Sequence, residues 1–195
     1  MIPLPGCNRR ILLVDDNSAI HQDFRRILIT DEDCNSLDAE AALLFRGRPV
    51  PVIAPIRFEL VSAYQVEEAI KLTQEARGQE RPFALAFVDT RMPPGMDGLS
   101  TIVKLWEVDP DLQIVICTAY SDHGWVEIQA ALPARDRWLV LKKPFDKIEI
   151  LQLAQSLTEK WSLTRAARVQ LAAVEKELEL SRKLLREQSH MLEKM

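Results

Sequence analysis

The residues of this sequence best suited to chemistry are carboxylates that follow short apolar runs. Asp15 and Asp16 come directly after ILLV, and Asp89 comes directly after ALAFV with no cationic residue on either side of it. Carboxylates that are brought together repel one another, so a site that joins all three is strained unless it holds a cation. Oxygen ligands with few carboxylates suit Mg²⁺, which keeps several waters and accepts phosphoryl oxygens. The three acids therefore predict a magnesium site.

Polar residues also follow two later apolar runs. Thr118 comes after QIVIC, and Lys142 and Lys143 come after WLVL. A metal that bridges the acids would cancel charge on an incoming phosphoryl group and leave one carboxylate oxygen free as a nucleophile. The ammonium of Lys143 and the hydroxyl of Thr118 are suited to bind the phosphoryl oxygens. Together these residue types indicate phosphoryl transfer to a carboxylate.

Short apolar runs alternate with helix-length segments along most of the chain. Near-continuous Val, Ile and Leu runs are typical of parallel strands that are buried on both faces. We therefore predict an α/β fold in which helices cover both faces of a five-stranded parallel sheet. The predicted strands are residues 11–14, 58–63, 84–88, 113–117 and 138–141, and the predicted helices between them are residues 19–29, 66–77, 98–108 and about 125–132.

The polar residues at the strand ends should meet in space. In an open parallel sheet the carboxyl ends of all strands lie along one edge, and ligands bind there. We expect the same edge to carry Asp15, Asp16, Asp89, Thr118 and Lys143. On their own, the two acids after the first strand would also be explained as a cap for the next helix. The third acid at a matching strand end favours the metal site.

Residues 30–57 form a connection that is too long for an ordinary link between a helix and a strand. The stretch NSLDAEAALLF predicts a short helix, and the prolines of RGRPVPVIAPIR favour an extended return. We interpret this segment as an insertion, which is either a surface elaboration or a lid that docks a partner.

The C-terminal part of the chain predicts one long helix, because residues 148–195 contain neither Pro nor Gly. Positions that alternate four and three residues apart form the seam of a coiled coil. The seam consists of Ala167, Leu171, Val174, Leu178, Ser181, Leu185, Gln188, Leu192 and Met195. The two polar seam residues favour a homodimer whose register is adjustable. We predict a globular domain over residues 1–158 and a dimerisation helix over residues 159–195.

Composition limits the partners and the location of the protein. A net charge of -4 gives no general attraction to nucleic acid or to anionic membranes. No run approaches the roughly 18 apolar residues of a membrane span. The three cysteines are far apart and lack metal-ligand spacing, which is typical of a reduced chain. We expect a cytoplasmic protein that binds neither nucleic acid nor membrane.

Four motifs, VDDN, VDTRMPPGMDG, TAY and KKPF, occur in that order and each at a strand end. Together they resemble the signature of response-regulator receiver domains in two-component signalling, over about residues 9–158. The resemblance implies a doubly wound sheet with strand order 2-1-3-4-5. It also implies a phosphoryl group that comes from a sensor histidine kinase or a phosphotransfer protein, with Mg²⁺ as the cofactor. No independent catalytic activity is implied beyond the chain's own phosphorylation and dephosphorylation.

The resemblance assigns roles to individual acids. It makes Asp89 the phosphoacceptor and makes Asp15 and Asp16 metal-binding residues, with the backbone carbonyl of Arg91 as a further metal ligand. A phosphatase of the haloacid-dehalogenase type would need a second acid two residues after the nucleophile. Arg91 stands at that position, which argues against an enzyme with an external substrate.

The resemblance also makes Thr118 the switch hydroxyl and Lys143 the ammonium that pairs with the phosphoryl group. Lys142 is the alternative for the second role. Lys143 is preferred because it directly precedes the proline of KKPF, as in the family pattern.

Two features depart from the family pattern. The loop MPPGMDG carries one residue more than the usual form, which should alter its path without removing the acid. Family members usually place Tyr or Phe three residues before the conserved Lys, and Val140 stands there. Trp138 lies two residues further upstream and shares the same strand face. A dimerisation or scaffolding module that no longer switches is therefore the alternative function.

The leading functional hypothesis is a receiver that relays its phosphorylation state through a dimeric coiled coil. Because the seam runs to the last residue, we expect either an interaction helix that ends there or a longer protein with a C-terminal output module. Receivers with such a helix resemble those that precede a diguanylate cyclase, a sensor or a histidine-kinase module.

Overall fold

The structure is a computed structural model that describes residues 6–29, 56–92, 98–119, 124–132 and 136–192. The described ranges contain five strands and five helices. The predicted insertion covers residues 30–57, and all of it except residues 56 and 57 lies outside the described ranges. The additional residue of the MPPGMDG loop also lies outside them.

The predicted α/β fold is confirmed. The strands form one parallel sheet in the order β2-β1-β3-β4-β5. The strands are β1 Arg10–Val14, β2 Glu59–Ala63, β3 Leu85–Asp89, β4 Gln113–Thr118 and β5 Trp138–Lys142. The helices are α1 Ser18–Ile29, α2 Val66–Gly78, α3 Gly98–Val108, α4 Trp125–Ala131 and α5 Lys147–Leu192.

Both faces of the sheet are covered, as the continuous apolar runs predict. Every residue of β3 and β4 is buried. Alternate side chains point to opposite faces: Leu12 and Val14 pack towards α2, α3 and α4, whereas Ile11 and Leu13 pack towards α1 and α5. Strand pairing places β1 and β3 side by side inside the sheet, with their carboxyl ends at the same edge.

The last helix has a packed part and a projecting part. Helix α5 runs without a break for 46 residues, about 70 Å at 1.5 Å per residue. Ile150, Ala154, Leu157 and Trp161 are buried on the domain, but every side chain from 163 to 183 is exposed. The predicted long helix is confirmed. No helix in the described part of the chain is both long and apolar enough to cross a membrane.

Candidate functional site

The three predicted acids meet at the carboxyl edge of the sheet. One carboxylate oxygen from each of Asp15, Asp16 and Asp89 lies within 4.8 Å of the others. The arrangement follows from topology, because β1 and β3 are parallel neighbours and each ends at this edge. Asp15 and Asp89 are buried, whereas Asp16 is exposed. The cluster is therefore anchored in the core and open to solvent on one side.

Lys143 supplies the cation that Asp89 lacks among its sequence neighbours. Its Nζ lies 3.0 Å from Oδ2 of Asp15 and 3.1 Å from Oδ1 of Asp89. Lys143 follows the end of β5, and its backbone N–H donates to the carbonyl of Thr118 at 2.9 Å. Of the two candidate lysines, Lys143 is therefore the one that reaches the acids. The exposed Lys142 lies on β5, in register with Thr118.

Burial and charge shift the pKa values of this pair. Burial raises the pKa of the Asp89 carboxyl above its ordinary value, and the neighbouring Lys143 opposes that rise only in part. Burial alone would lower the pKa of Lys143, but its hydrogen bonds and charge interactions with Asp15 and Asp89 outweigh burial and raise it. Lys143 is therefore a permanent cation at neutral pH. One ammonium does not neutralise three carboxylates, so the site still favours a further cation.

The strand ends around Asp89 are tied together by hydrogen bonds. The backbone N–H of Thr90 donates to the carbonyl of Cys117 at 3.1 Å, and its hydroxyl lies 3.3 Å from the same carbonyl. Thr118 is buried and donates its hydroxyl to the carbonyl of Ala119 at 3.0 Å. Since Asp89 is in register with Cys117, Thr118 lies one residue further out along the next strand. This is the position that a hydroxyl needs to approach a group bound to Asp89.

The start of α3 presses against the backbone that follows Asp89. The N–H of Gly98 donates to the carbonyl of Thr90 at 3.2 Å. A Cβ atom on Gly98 would lie 2.4 Å from the carbonyl oxygen of Asp89 and 2.6 Å from Cα of Thr90. Both neighbours are backbone atoms, so no side-chain rotation can relieve the clash. Only glycine fits here without moving the backbone that follows β3.

We expect Gly98→Ala to destabilise the protein by about 1–3 kcal/mol, the usual cost of overpacking. Equilibrium unfolding in urea measures the change. Gly78→Ala is the matched control, because a Cβ there meets no heavy atom within 4 Å and alanine favours the helix. Equal stability of the Gly98 variant and the wild type would contradict the close packing of α3 on this loop.

The residue in the usual aromatic position packs into the core. Val140 is half-buried against the α2, α3 and α4 side of the sheet. Trp138 is buried on the same face but lies opposite Ile114, whereas Val140 lies opposite Ile116. Two residues of strand separate their Cα atoms by about 7 Å. Trp138 therefore lies nearer the amino end of the strand and does not replace the missing aromatic ring.

Sequence reasoning missed the residues that support the acid pair. His21 is buried, and its ring contacts the backbone carbonyl of Asp15. A usable signal was present, since His21 lies on the buried stripe of α1 together with Phe24 and Leu28. A polar residue on such a stripe needs a hydrogen-bond partner.

The donor set suits a hard divalent cation. Carboxylate oxygens from three side chains, one of them exposed, match the preference of Mg²⁺ for oxygen ligands and retained waters. Arg91 lies in the described part of the loop after β3. The role of its backbone carbonyl as a further metal ligand stays a prediction. The arrangement combines a buried carboxylate, two further acids suited to a cation, and an ammonium that is held against the acids. Together these groups can accept a phosphoryl group.

One protein-family model matches more than half of this chain. The family described as the response regulator receiver domain matches residues 54–155. That range contains Asp89, Thr118 and Lys143 but begins after β1, so the positions of Asp15 and Asp16 rest on the structure. The comparison with curated proteins gave no match.

Solved structures share the fold at low sequence identity. An adenylate cyclase from Rhodopirellula baltica is 23% identical, with a TM-score of 0.58 over 84% of this chain and 97% of that one. A CheY-like response regulator receiver domain protein from Methanospirillum hungatei JF-1 is 19% identical, with a TM-score of 0.56 over 80% and 98%. A response regulator receiver protein from Sinorhizobium medicae WSM419 is 20% identical, with a TM-score of 0.52 over 78% and 95%.

Proposed function

Because this chain belongs to the response regulator receiver family, we propose that Asp89 accepts a phosphoryl group in a reaction that depends on Mg²⁺. The observation that carries the proposal is the buried Asp89 carboxylate, which lies beside two further acids and has the Lys143 ammonium 3.1 Å from one of its oxygens. The phosphodonor is a sensor histidine kinase or a phosphotransfer protein, and small acyl phosphates can replace it in vitro.

Different residues of the chain would bind the metal and attack the phosphoryl group. Asp15, Asp16, one oxygen of Asp89 and the Arg91 carbonyl would hold the metal, which would supply positive charge for the phosphoryl oxygens. A carboxylate oxygen of Asp89 forms the new P–O bond while the bond between phosphorus and the donor breaks, and the donor keeps that electron pair.

Two more residues stabilise the product. Lys143 exchanges its contact with Oδ1 of Asp89 for one with a phosphoryl oxygen, while its bond to Asp15 keeps it in place. The Thr118 hydroxyl turns from the Ala119 carbonyl towards the phosphoryl group. This movement of Thr118 is the first step of the switch, and it shifts the segment that follows β4.

The two lysines at the end of β5 provide a matched test. We expect Lys143→Ala to slow phosphorylation by acetyl phosphate at least about tenfold, because a positioned charged donor is lost. Lys142→Ala should leave the rate unchanged, since Lys142 is exposed and Lys143 makes the contacts with the acids. Intact mass spectrometry over time gives both rates. Equal phosphorylation rates for the two variants would contradict the proposed role of Lys143.

We propose that a second copy of this chain covers the projecting part of α5. Its seam residues Leu171, Val174 and Leu178 are 59%, 60% and 49% exposed, although their spacing is that of a coiled coil. We propose that residues 1–158 form the receiver domain and that residues 159–195 form the dimerisation helix. A C-terminal effector domain is the proposed recipient of the signal.

Contacts at the point where α5 leaves the domain support transmission through the helix. The backbone N–H of Asn8 donates to Oγ of Ser162 at 3.0 Å. On another side, Arg168 pairs with Asp111 in the turn before β4. The helix is thus fastened to the receiver up to residue 168. A shift of the receiver around β4 would be passed to the projecting part as a movement of the whole helix.

One observation favours a second candidate function. Val140 fills the usual aromatic position and packs into the core, so the ring rotation that accompanies switching in the family has no counterpart on β5. A receiver of this kind would dimerise and act as a scaffold without responding to phosphorylation. Dimer affinity measured with and without phosphodonor distinguishes the two functions.

A further inference from the structure

We infer that His21 is a positioning residue for the acid pair, and that its imidazole N–H sets the affinity of the site for its divalent cation. The inference rests on the proposed function, because it concerns the metal that Asp15 and Asp16 would hold. It assigns a role to a buried side chain outside the set of acids, hydroxyl and ammonium.

His21 reaches back from α1 to the end of β1. The side chain is 2% exposed, and its Nε2 lies 2.7 Å from the backbone carbonyl oxygen of Asp15. A carbonyl oxygen only accepts hydrogen bonds, so Nε2 carries the hydrogen and donates it. Nδ1 is buried and has no hydrogen-bond partner among the described residues. Within the described ranges, the single hydrogen bond that fixes the ring is therefore the one to Asp15.

This contact completes a set of restraints on Asp15. Oδ1 accepts the backbone N–H of Asn17 at 2.8 Å, and Oδ2 accepts from Lys143 at 3.0 Å. The backbone N–H of Asp15 lies 3.3 Å from the carbonyl of Ala63. With His21 on the carbonyl, both the side chain and the backbone of Asp15 are held from separate elements of the fold.

The hydrogen bond from His21 to the Asp15 carbonyl also orients the second acid, Asp16. The carbonyl of Asp15 and the N–H of Asp16 belong to one planar peptide unit. A fixed carbonyl direction therefore fixes the start of Asp16, whose side chain is exposed and lacks a packed environment to hold it. Without the donor, this peptide can rotate and carry the Asp16 carboxylate away from the cluster. Groups behind metal ligands commonly change metal affinity by 10–100-fold.

A second aromatic residue holds the imidazole ring. Tyr64 follows β2, and its ring centroid lies 4.2 Å from that of His21 at an interplanar angle of 34°. The backbone N–H of Tyr64 donates to Oε2 of Glu68 at 2.8 Å, which ties the loop after β2 to α2. The imidazole is thus enclosed between the β1 loop and Tyr64, so that its N–H points steadily at Asp15.

Two variants of His21 separate the donor from the ring. His21→Phe keeps an aromatic ring against Tyr64 but removes the donor, whereas His21→Gln loses the ring and keeps an amide N–H at a similar reach. Mn²⁺ serves as the probe, because it binds the same oxygen ligands and the free ion gives an electron paramagnetic resonance signal. The full, unphosphorylated chain is titrated, so the readout does not depend on phosphoryl transfer. Gln22→Ala, an exposed neighbour on α1, is the control.

We expect His21→Phe to weaken Mn²⁺ binding about tenfold, and His21→Gln and Gln22→Ala to stay within about threefold of the wild type. Thermal unfolding establishes that each variant is folded, and His21→Leu replaces the Phe variant if that one is not. Wild-type affinity in the variant without a donor would overturn the inference, as would equal weakening in the Gln and Phe variants. Absence of Mn²⁺ binding by the wild type would instead contradict the proposed metal site itself.

Discussion

Asp89→Asn is expected to abolish phosphorylation of this protein by acetyl phosphate in the presence of Mg²⁺. The amide oxygen of asparagine is a poor nucleophile and carries no negative charge, so the variant loses both the attacking group and a metal ligand. Intact mass spectrometry should show one added phosphoryl group on the wild type and none on the variant. The added mass on the wild type should also disappear when Mg²⁺ is chelated.

The Asn variant should remain folded. Because burial raises the pKa of Asp89, the ionised carboxylate opposes folding at neutral pH. This cost in folding free energy is fully present at pH values above the raised pKa. It decreases as the pH falls from the raised pKa towards the ordinary pKa of aspartate. Removal of the charge should therefore not lower the unfolding temperature at pH 7 in the absence of metal.

A matched control for Asp89 is available elsewhere in the fold. Asp109 is 5% exposed, close to the 6% of Asp89, and burial raises its pKa as well. It lies outside the acidic cluster, and one of its side-chain oxygens accepts the backbone N–H of Asp111, which asparagine can also do. Asp109→Asn should be phosphorylated like the wild type. Equal labelling of both Asn variants would show that the modified residue is not Asp89.

The second large effect concerns the projecting helix. Leu171→Lys combined with Leu178→Lys places two charges on the predicted seam and should convert the proposed dimer to a monomer. The control combines Val169→Lys with Leu180→Lys, which lie off the seam but are 65% and 59% exposed, at least as much as the seam pair. The control should remain dimeric. Sedimentation equilibrium at tens of micromolar distinguishes the two results.

Replacement of the two polar seam residues should strengthen dimerisation instead of weakening it. Ser181→Leu combined with Gln188→Leu should tighten the dimer and weaken its response to phosphorylation, because apolar seam residues hold one register more strongly. A wild-type chain that sediments as a monomer with and without phosphodonor would contradict the coiled-coil relay. It would indicate that the helix docks on a different partner.

The sheet was predictable because the strands are short, apolar and separated by helical patterns. Continuous runs such as those of β3 and β4 are buried on both faces, and such runs are hard to place outside a parallel sheet. The strand order did not follow from the runs themselves. It came from the resemblance of the strand-end motifs to receiver domains, and the observed order confirms it.

The meeting of the acids with Lys143 was predictable from their positions at strand ends, but the individual contacts around them were not. Lys143 pairs with Asp89 only because β4 and β5 follow β3 across the sheet. The need for glycine at Gly98 arises from the approach of α3 to the loop after β3. The buried stripe of α1 shows that His21 needs a hydrogen-bond partner, but residue types do not show that the partner is the backbone carbonyl of Asp15. Each of these contacts depends on the tertiary fold rather than on local sequence.

The most direct test of the central claim is to locate the phosphorylated residue chemically. The full chain is incubated with acetyl phosphate and Mg²⁺ and then treated with borohydride, which reduces an acyl phosphate on aspartate to homoserine. Peptide mass spectrometry then identifies the reduced residue. The structure predicts homoserine at Asp89 alone, and none when the metal is chelated. Reduction at Asp15 or Asp16, or no reduction in the presence of Mg²⁺, would contradict the assignment of Asp89 as the phosphoacceptor.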